Sequence, residues 1–147
     1  MERNEIYAVI DTNVLVSALL PSRKISNPTM VLREVFKGRI TPVFNEEILD
    51  EYKEVLSREK FHIHQVRIDT VINHIKNTGL KLERTKSWEG VFPDPKDVVF
   101  YEVTLSKDDA YLVTGNIKHF PKKPFVVTPA EMVAILGLPE KDNNNLI

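Results

Sequence analysis

The chain of 147 residues is 42% hydrophobic and 28% charged, which are ordinary values for a single folded domain of this length. Its net charge of -1 gives no general attraction to nucleic acid or to anionic lipid, so binding of either would need a local charged patch. Because the chain has no cysteine, disulfides and thiolate metal sites are excluded.

Two further features concern the location of the protein. The charged N-terminal segment is followed by an apolar run that is too short for a signal peptide. No stretch approaches the roughly 20 apolar residues of a membrane-spanning helix. We therefore expect a soluble, cytoplasmic protein that does not contact a membrane.

The predicted elements alternate between strands and helices from the first apolar run onward. Residues 6–10 are all apolar, a pattern typical of a strand covered on both faces in a parallel sheet. The apolar stretch that follows predicts a short helix ending at Pro21. Asn27 as the N-cap, with Pro28 at the first helical position, predicts a second helix that ends at Gly38.

The middle of the chain continues this alternation. A second strand is predicted over residues 40–44, and Asn45 caps the helix after it, whose buried side chains recur every three or four residues. Another helix is predicted over residues 63–77. Leu80 and Leu82 then alternate with polar residues, which predicts a short, half-exposed strand.

The last part of the chain has the same order of elements. Asp94 followed by Pro95 predicts a helix that continues to about Ser106. Thr128 and Glu131 have the spacing of a capping box before a final helix. Dense apolar strands are predicted here as well, over residues 110–114 and 125–127.

This order of elements predicts the fold class and the domain organisation. Strands that alternate with helices favour an α/β sandwich of three layers, α/β/α, with a central parallel sheet. The sequence contains no internal repeat and no linker. We therefore expect one domain over residues 1–138, followed by a flexible tail over residues 139–147.

Polar residues lie where the predicted strands end. Asp11 follows the first strand, and Glu51 lies beside the buried stripe of the helix after the second. Asp97 lies near the start of a helix, and Asn116 follows the next strand. Ligands of open α/β sheets bind beyond the carboxyl ends of the strands. Carboxylates gathered there without His or Cys suit Mg²⁺ or Mn²⁺, and such an ion suits phosphoryl chemistry.

Each of these residues also has a purely structural interpretation. An acid at a helix start, such as Asp94 or Asp97, is often only a cap. Glu51 alone fits a solvated helix face, and Asn116 fits a turn. The spacing of the acids also describes a phosphate-accepting receiver domain or an aspartyl phosphatase. The residues by themselves leave these interpretations open.

A family resemblance is carried by five segments that extend over nearly the whole chain. They are Val9-Ile10-Asp11-Thr12-Asn13-Val14, Ile48-Leu49-Asp50-Glu51-Tyr52, Asp94-Pro95-Lys96-Asp97, Tyr111-Leu112-Val113-Thr114-Gly115-Asn116 and Val127-Thr128-Pro129-Ala130-Glu131. In this order they resemble the motifs of the PIN-domain family, and in particular its toxin components of toxin–antitoxin pairs. The resemblance implies a PIN-like fold and a ribonuclease that depends on Mg²⁺ or Mn²⁺ and leaves 5′-phosphate ends.

The resemblance also assigns roles to individual residues. It implies that Asp11, Asp97 and Glu51 hold the metal ion and that these three acids are catalytic together with Asn116. The family has a fourth acid at the last of these positions, and an amide there can orient water but adds no charge. The implied supporting polar residues are Thr12, Asn13 and Thr114.

The same resemblance implies partners. These are an RNA substrate, a small antitoxin protein that covers the carboxylates, and a second copy of the chain in a homodimer. Because Asn116 departs from the family pattern, the alternative is a non-catalytic PIN module that binds RNA or protein and whose metal site is degraded.

RNA needs positive charge in order to approach a group of acids. Basic residues follow the first predicted helix and the strand before Asn116, both at the expected active edge of the sheet. The candidates for RNA binding are Arg23, Lys24, Lys118, Lys122 and Lys123, with His119 beside the last three.

Two further patterns are weaker. Aromatic residues interleaved with basic ones, which are typical of single-strand binding, are limited to Phe120 and Phe125. His62 and His64 have the spacing of a metal pair, but we interpret them as surface residues.

Overall fold

The computed structural model describes residues 5–21, 24–88, 90 and 92–138. Its strands are β1 (Ile6–Ile10), β2 (Ile40–Phe44), β3 (Leu80–Lys81), β4 (Tyr111–Val113) and β5 (Val126–Val127). They form one parallel sheet in the order β3-β2-β1-β4-β5. The predicted α/β/α sandwich with a central parallel sheet is confirmed.

Six helices of this region connect and cover the strands. They are α1 (Thr12–Leu19), α2 (Asn27–Phe36), α3 (Glu46–Leu56), α4 (Gln65–Thr78), α5 (Val98–Leu105) and α6 (Pro129–Ile135). Short 3₁₀ turns occur at Glu59–Phe61, Pro95–Asp97 and Ile117–His119. All three of these turns contribute residues to the candidate site described below.

The direction in which strands are added reverses between β1 and β4. From β1 the sheet grows through β2 to β3 on one side, whereas β4 and β5 occupy the other side. Ile10 at the end of β1 is paired with Val113 at the end of β4, so the carboxyl ends of these strands lie side by side. In open parallel sheets a ligand usually binds in the crevice at such a reversal.

The middle of the sheet is completely buried. Ala8 and Val9 of β1, and Leu112 and Val113 of β4, each have 0% exposure. Their apolar side chains are covered on both faces, which is why the sequence shows continuous apolar runs here rather than alternation. The tight packing of these strands gives a rigid base for the polar residues that follow them.

Several predicted helix signals are confirmed at atomic level. The side chain of Asn45 caps α3 by accepting a 2.9 Å hydrogen bond from Ile48 N. Thr128 and Glu131 form both hydrogen bonds of the capping box of α6. Gly38 has a positive φ of 85°, which a residue without a side chain adopts easily just after α2.

Other boundaries differ from the prediction because of local capping. Ser26, not Asn27, is the N-cap of α2, since its hydroxyl accepts a hydrogen bond from Thr29 N. Asp94 accepts from Lys96 N and so begins a tight 3₁₀ turn, and the α-helix starts only at Val98.

The ends of three other elements also differ. Helix α4 begins at Gln65 rather than at residue 63, because His62 is left-handed and His64 is extended. The strands β4 and β5 are shorter than the apolar runs that predicted them.

Some predictions concern residues beyond the described ranges. Arg23 and the predicted tail over residues 139–147 lie outside them. The division into a domain of residues 1–138 and a tail therefore stays a prediction. Within the described ranges, none of the helices has the length and apolar character needed to cross a membrane.

Candidate active site

Asp11 lies at the point where the carboxyl ends of β1 and β4 meet. Its backbone N donates a 2.9 Å hydrogen bond to Val113 O of β4. Its side chain is the N-cap of α1 and accepts a 2.8 Å hydrogen bond from Thr12 N. Asp11 is only 6% exposed. The backbone of two strands and the start of a helix therefore fix its position.

A network of side chains fixes the orientation of the Asp11 carboxylate. Oδ2 of Asp11 accepts hydrogen bonds from Thr114 Oγ1 at 2.7 Å and from Asn13 Nδ2 at 3.2 Å. Asn13 Oδ1 in turn accepts from Gly115 N at 3.1 Å, and Thr114 Oγ1 accepts from Asn116 N at 3.0 Å. These residues join the two strand ends through their side chains as well as through the backbone.

A cavity of about 380 Å³ opens above Asp11, and we call it the carboxylate cavity. Glu51 reaches it from α3, Asp97 from a 3₁₀ turn and Asn116 from the segment after β4. The other described residues that line it are Thr12, Asn13, Val16, Ser17, Val55, Arg58, Phe61, Asp94, Lys96 and His119. The structure therefore brings the four predicted catalytic residues into one cavity from four separate segments.

A slightly larger cavity, of about 470 Å³, opens elsewhere and has a different character. It lies at the amino end of β4, beside Ala110 and Tyr111, and it is therefore at the opposite edge of the sheet. Its acids, Asp108 and Asp109, are not accompanied by any of the predicted site residues. The chemistry and the topology both favour the carboxylate cavity as the functional one.

Burial and mutual repulsion perturb the acids of the carboxylate cavity. Burial raises the pKa of Asp11, and the charge of Glu51 raises it further, while the hydrogen bonds from Thr114 and Thr12 oppose the rise. Burial and the charge of Asp11 raise the pKa of Asp97 to about 6, with Asp94 adding to the rise and His119 opposing it. A bound proton or cation would therefore reduce the repulsion between these carboxylates and stabilise the cavity.

Unpaired oxygens make the carboxylate cavity chemically suitable for a divalent ion. Asp97 Oδ2 is buried 3.4 Å from His119 Nδ1, yet it accepts no hydrogen bond from the described residues. Thr12 Oγ1 is also buried without a hydrogen-bond partner among them. Carboxylate, hydroxyl and amide oxygens are the ligands that Mg²⁺ and Mn²⁺ prefer.

The acids do not form a compact ligand cluster. In the part of the chain that the structure describes, no three Asp, Glu or His side chains are grouped closely enough to hold a metal ion. Asp11, Glu51 and Asp97 therefore share a cavity without forming a closed metal cage.

The structure places the predicted RNA-binding residues differently from the acids. Lys24, Lys118, Lys122 and Lys123 are exposed, but they do not line the carboxylate cavity. Among the described basic residues that follow β4, only His119 lines the carboxylate cavity. His62 and His64 are exposed, as expected for surface residues, and neither lines the cavity.

Six residues that line the cavity were not predicted as site residues, namely Arg58, Phe61, Lys96, Val16, Ser17 and Val55. Arg58 could have been found from its spacing, since it follows Glu51 by seven positions and continues the same face just past the end of α3. Lys96 lies between two acids of a motif that had been noted for its acids alone. Phe61 is apolar and follows a helix rather than a strand, so no polar residue at a strand end marks its position.

Comparison with known protein families supports the assignment of the fold. The family model of the PIN domain matches residues 7–118, which is well over half of the chain. Comparisons with curated proteins and with solved structures gave no match. PIN domains are typically nucleases, and PIN nucleases generally use divalent metals. The chain therefore belongs to the PIN-domain family.

Proposed function

We propose that the protein is a metal-dependent ribonuclease, an enzyme that hydrolyses phosphodiester bonds of RNA and leaves 5′-phosphate ends. The observation that carries this proposal is the convergence of Asp11, Glu51, Asp97 and Asn116 on one cavity at the carboxyl ends of β1 and β4. The raised pKa values of Asp11 and Asp97 support it, because acids kept together against repulsion are typical of functional sites.

The residues of the cavity divide the expected tasks between them. Asp11, Asp97 and Glu51 would hold Mg²⁺ or Mn²⁺. The ion would neutralise charge on the phosphate, and it would lower the pKa of a water so that the water can lose a proton and attack at neutral pH. Thr114, Asn13 and the backbone N–H of Thr12 keep the carboxylate of Asp11 in one orientation, so it need not reorganise during the reaction.

Asn116 has a different task from the three acids. Its side-chain amide can donate a hydrogen bond to a phosphate oxygen or orient a water, but it cannot share the charge of the ion. Its backbone N–H is bound to Thr114 Oγ1, which keeps the residue beside Asp11. The attack by water makes no use of the ribose 2′-hydroxyl, so the chemistry alone does not exclude DNA as a substrate.

The proposal is tested by RNA cleavage with Mg²⁺ or Mn²⁺. We expect Asp11→Ala to lower the rate by at least about a hundredfold, since it removes a carboxylate from the centre of the site. Asp69→Ala is the matched control, because Asp69 is exposed on α4 and does not line the cavity. Equal cleavage by the wild type and Asp11→Ala would show that the activity comes from a contaminant.

A second candidate function is a non-catalytic PIN module that binds RNA or protein. Two observations favour it, namely Asn116 at the position of an expected acid and the lack of a compact ligand cluster in the described part of the chain. This function predicts RNA binding without cleavage at millimolar Mg²⁺ or Mn²⁺. The ribonuclease predicts both binding and cleavage, so one assay with intact RNA separates the two.

Regulation by a small antitoxin protein completes the proposal. Its support is the resemblance of the sequence to the toxin branch of the family, and the same resemblance supports a homodimer and a cytoplasmic location. The test is whether a small protein encoded by an adjacent reading frame co-purifies with this chain and blocks its cleavage of RNA. Cleavage that the co-expressed small protein leaves unchanged would contradict the antitoxin role.

A further inference from the structure

We propose that Phe61 stacks on an unpaired nucleobase next to the scissile phosphate and so positions the RNA strand in the carboxylate cavity. This inference rests on the proposed ribonuclease function. It assigns to one side chain the positioning of substrate, which neither the acids nor their hydrogen-bond partners perform.

The walls of the carboxylate cavity differ in chemistry. The lining carries the acids Asp11, Glu51 and Asp97 together with three apolar residues, Val16, Val55 and Phe61. Val16 and Val55 are buried in the core, whereas Phe61 is only partly buried. A nucleotide presents a charged phosphate and a flat, weakly polar base on the same molecule, and the cavity has a matching surface for each.

The backbone holds Phe61 in this lining. The 3₁₀ turn Glu59–Phe61 is closed by hydrogen bonds from Phe61 N to Arg58 O at 3.1 Å and from His62 N to Glu59 O at 3.0 Å. The side chain of Phe61 is partly buried and packs against the hydrophobic core. A ring that is already ordered loses little conformational entropy when a base stacks on it.

Positive charge lies around the same ring. Lys60 Nζ lies over the face of the Phe61 ring, 5.2 Å from its centroid, so a stacked base takes the place of this exposed lysine. Arg58 lines the same cavity. Aromatic rings next to basic side chains are the usual means of holding a single strand, because bases stack on the ring while phosphates contact the charges. Phe120 and Phe125, which are the aromatic residues near the basic residues of the sequence, do not line the cavity and contact the ring of Tyr101 instead.

Lys96 is the cation of the cavity that is best placed to meet a phosphate. Arg58 is held by two hydrogen bonds to Glu54, and His119 faces Asp97. Lys96, in contrast, forms no ion pair within the described ranges, although it lines the cavity beside Asp97. Its charge is therefore available to the substrate.

The surroundings also indicate the direction in which the RNA leaves the cavity. A neighbouring groove of about 440 Å³ shares Glu51 and Lys96 with the carboxylate cavity. It also carries Glu47, Asp50 and Glu54, and its Arg84 is already paired with Glu47. This acidic groove repels a phosphate backbone. We therefore expect the strand to extend away from this groove, and Phe61 lines the carboxylate cavity but not the groove.

The test compares the cleavage kinetics of Phe61→Leu, Phe61→Tyr and Phe36→Leu on a labelled single-stranded RNA. Phe36→Leu is the matched control, because Phe36 is 41% exposed on α2 and does not line the cavity. We expect Phe61→Leu to raise KM about tenfold with little change in kcat, the loss typical of one base–aromatic stack. Phe61→Tyr keeps the ring and should restore the wild-type KM.

Two substrates test the inference on the wild type as well, so it does not depend on how a variant folds. RNA in which single bases are removed one at a time should show one position next to the cleaved bond where KM rises about tenfold. The same sequence in a duplex should be cleaved poorly, since its bases are already stacked. Phe61→Leu should be insensitive to the loss of that base.

Other outcomes separate failure of this inference from failure of the proposed function. If the wild type cleaves RNA but tolerates every missing base, or cleaves a duplex equally well, the role of Phe61 is wrong and the ribonuclease function stands. The same conclusion follows if Phe61→Leu and Phe36→Leu have the same KM. If the wild type cleaves no RNA in Mg²⁺ or Mn²⁺, both the function and this inference are overturned.

Discussion

The hydroxyl of Thr114 donates a 2.7 Å hydrogen bond to Oδ2 of Asp11, a residue 103 positions earlier in the chain. Thr114 has 0% exposure, so water does not replace this bond when it is lost. The contact joins the ends of β1 and β4 at the centre of the candidate site. It also opposes the effect of burial on the pKa of Asp11.

Thr114→Val removes this donor while keeping the shape of the side chain. We expect about 1–3 kcal/mol lower stability, because a buried carboxylate loses a hydrogen bond. We also expect about a 10- to 100-fold loss of cleavage activity or metal affinity, as is usual when a partner of a ligand is removed. Urea unfolding and initial rates measure the two effects.

The matched control for this variant is Thr104→Val. Thr104 is also buried, and its hydroxyl bonds only to Phe100 O within α5. This control should keep its metal affinity and cleavage rate. Equal losses of activity in Thr114→Val and Thr104→Val would mean that the bond to Asp11 has no role in the site.

Asn116→Asp is expected to strengthen the binding of Mn²⁺. The substitution places a fourth carboxylate at the cavity, and the added charge should lower the dissociation constant about tenfold. Titration calorimetry measures the change. Asn73→Asp, at an exposed position of α4, is the control with the same charge change. An unchanged affinity in Asn116→Asp would count against a position of Asn116 near the ion.

The raised pKa of Asp97 predicts a pH dependence of stability in the metal-free protein. Its pKa of about 6 lies above the ordinary 3.8, so the folded state binds more protons than the unfolded state between these values. Its contribution to stability is therefore complete below about pH 4 and is lost as the pH rises through about 6. Asp11, whose pKa is also raised, acts in the same direction.

Asp97→Asn isolates this contribution. Above pH 6 and in the presence of a chelator, we expect the variant to be more stable than the wild type by about 1 kcal/mol, after allowing for screening by solvent. Urea unfolding at several pH values gives the difference. Mn²⁺ should reverse the order, because it stabilises the protein that binds it more tightly. A difference that stays constant from pH 4 to pH 8 would contradict the pKa of Asp97.

A buried acid outside the cavity gives a prediction about stability. Glu102 is 9% exposed, and its carboxylate accepts hydrogen bonds from Arg84 Nη1 at 3.0 Å and from Trp88 N at 2.8 Å. Glu102→Ala leaves Trp88 N without this acceptor and removes one of the two ion pairs of Arg84, so we expect a loss of about 2–4 kcal/mol. Glu59→Ala, at an exposed position, should change the stability by less than about 0.5 kcal/mol in the same urea experiment.

The parts of the fold that were predictable from the sequence are those in which one local pattern has one physical meaning. The continuous apolar run of residues 6–10 fits only a strand covered on both faces, and the structure has β1 there. A carboxylate directly after such a strand had to lie at the sheet edge, and Asp11 does. The caps at Asn45 and Thr128 were recognisable for the same reason.

Other features depend on geometry that local sequence does not encode. Asp94 and Pro95 are equally good starts for an α-helix and for a 3₁₀ turn, and the hydrogen bond from Lys96 N to Asp94 decides for the turn. The place of Phe61 beside Asp11 depends on how α3 packs next to α1, a tertiary contact that no spacing along the chain specifies.

The separation of Asp11 from Thr114 along the chain determines when the candidate site can form during synthesis. During synthesis, the acid leaves the ribosome long before the hydroxyl that orients it. A nascent chain that stops short of β4 therefore lacks the hydrogen bond that orients Asp11. The candidate site is complete only after β4 has been synthesised and has paired with β1.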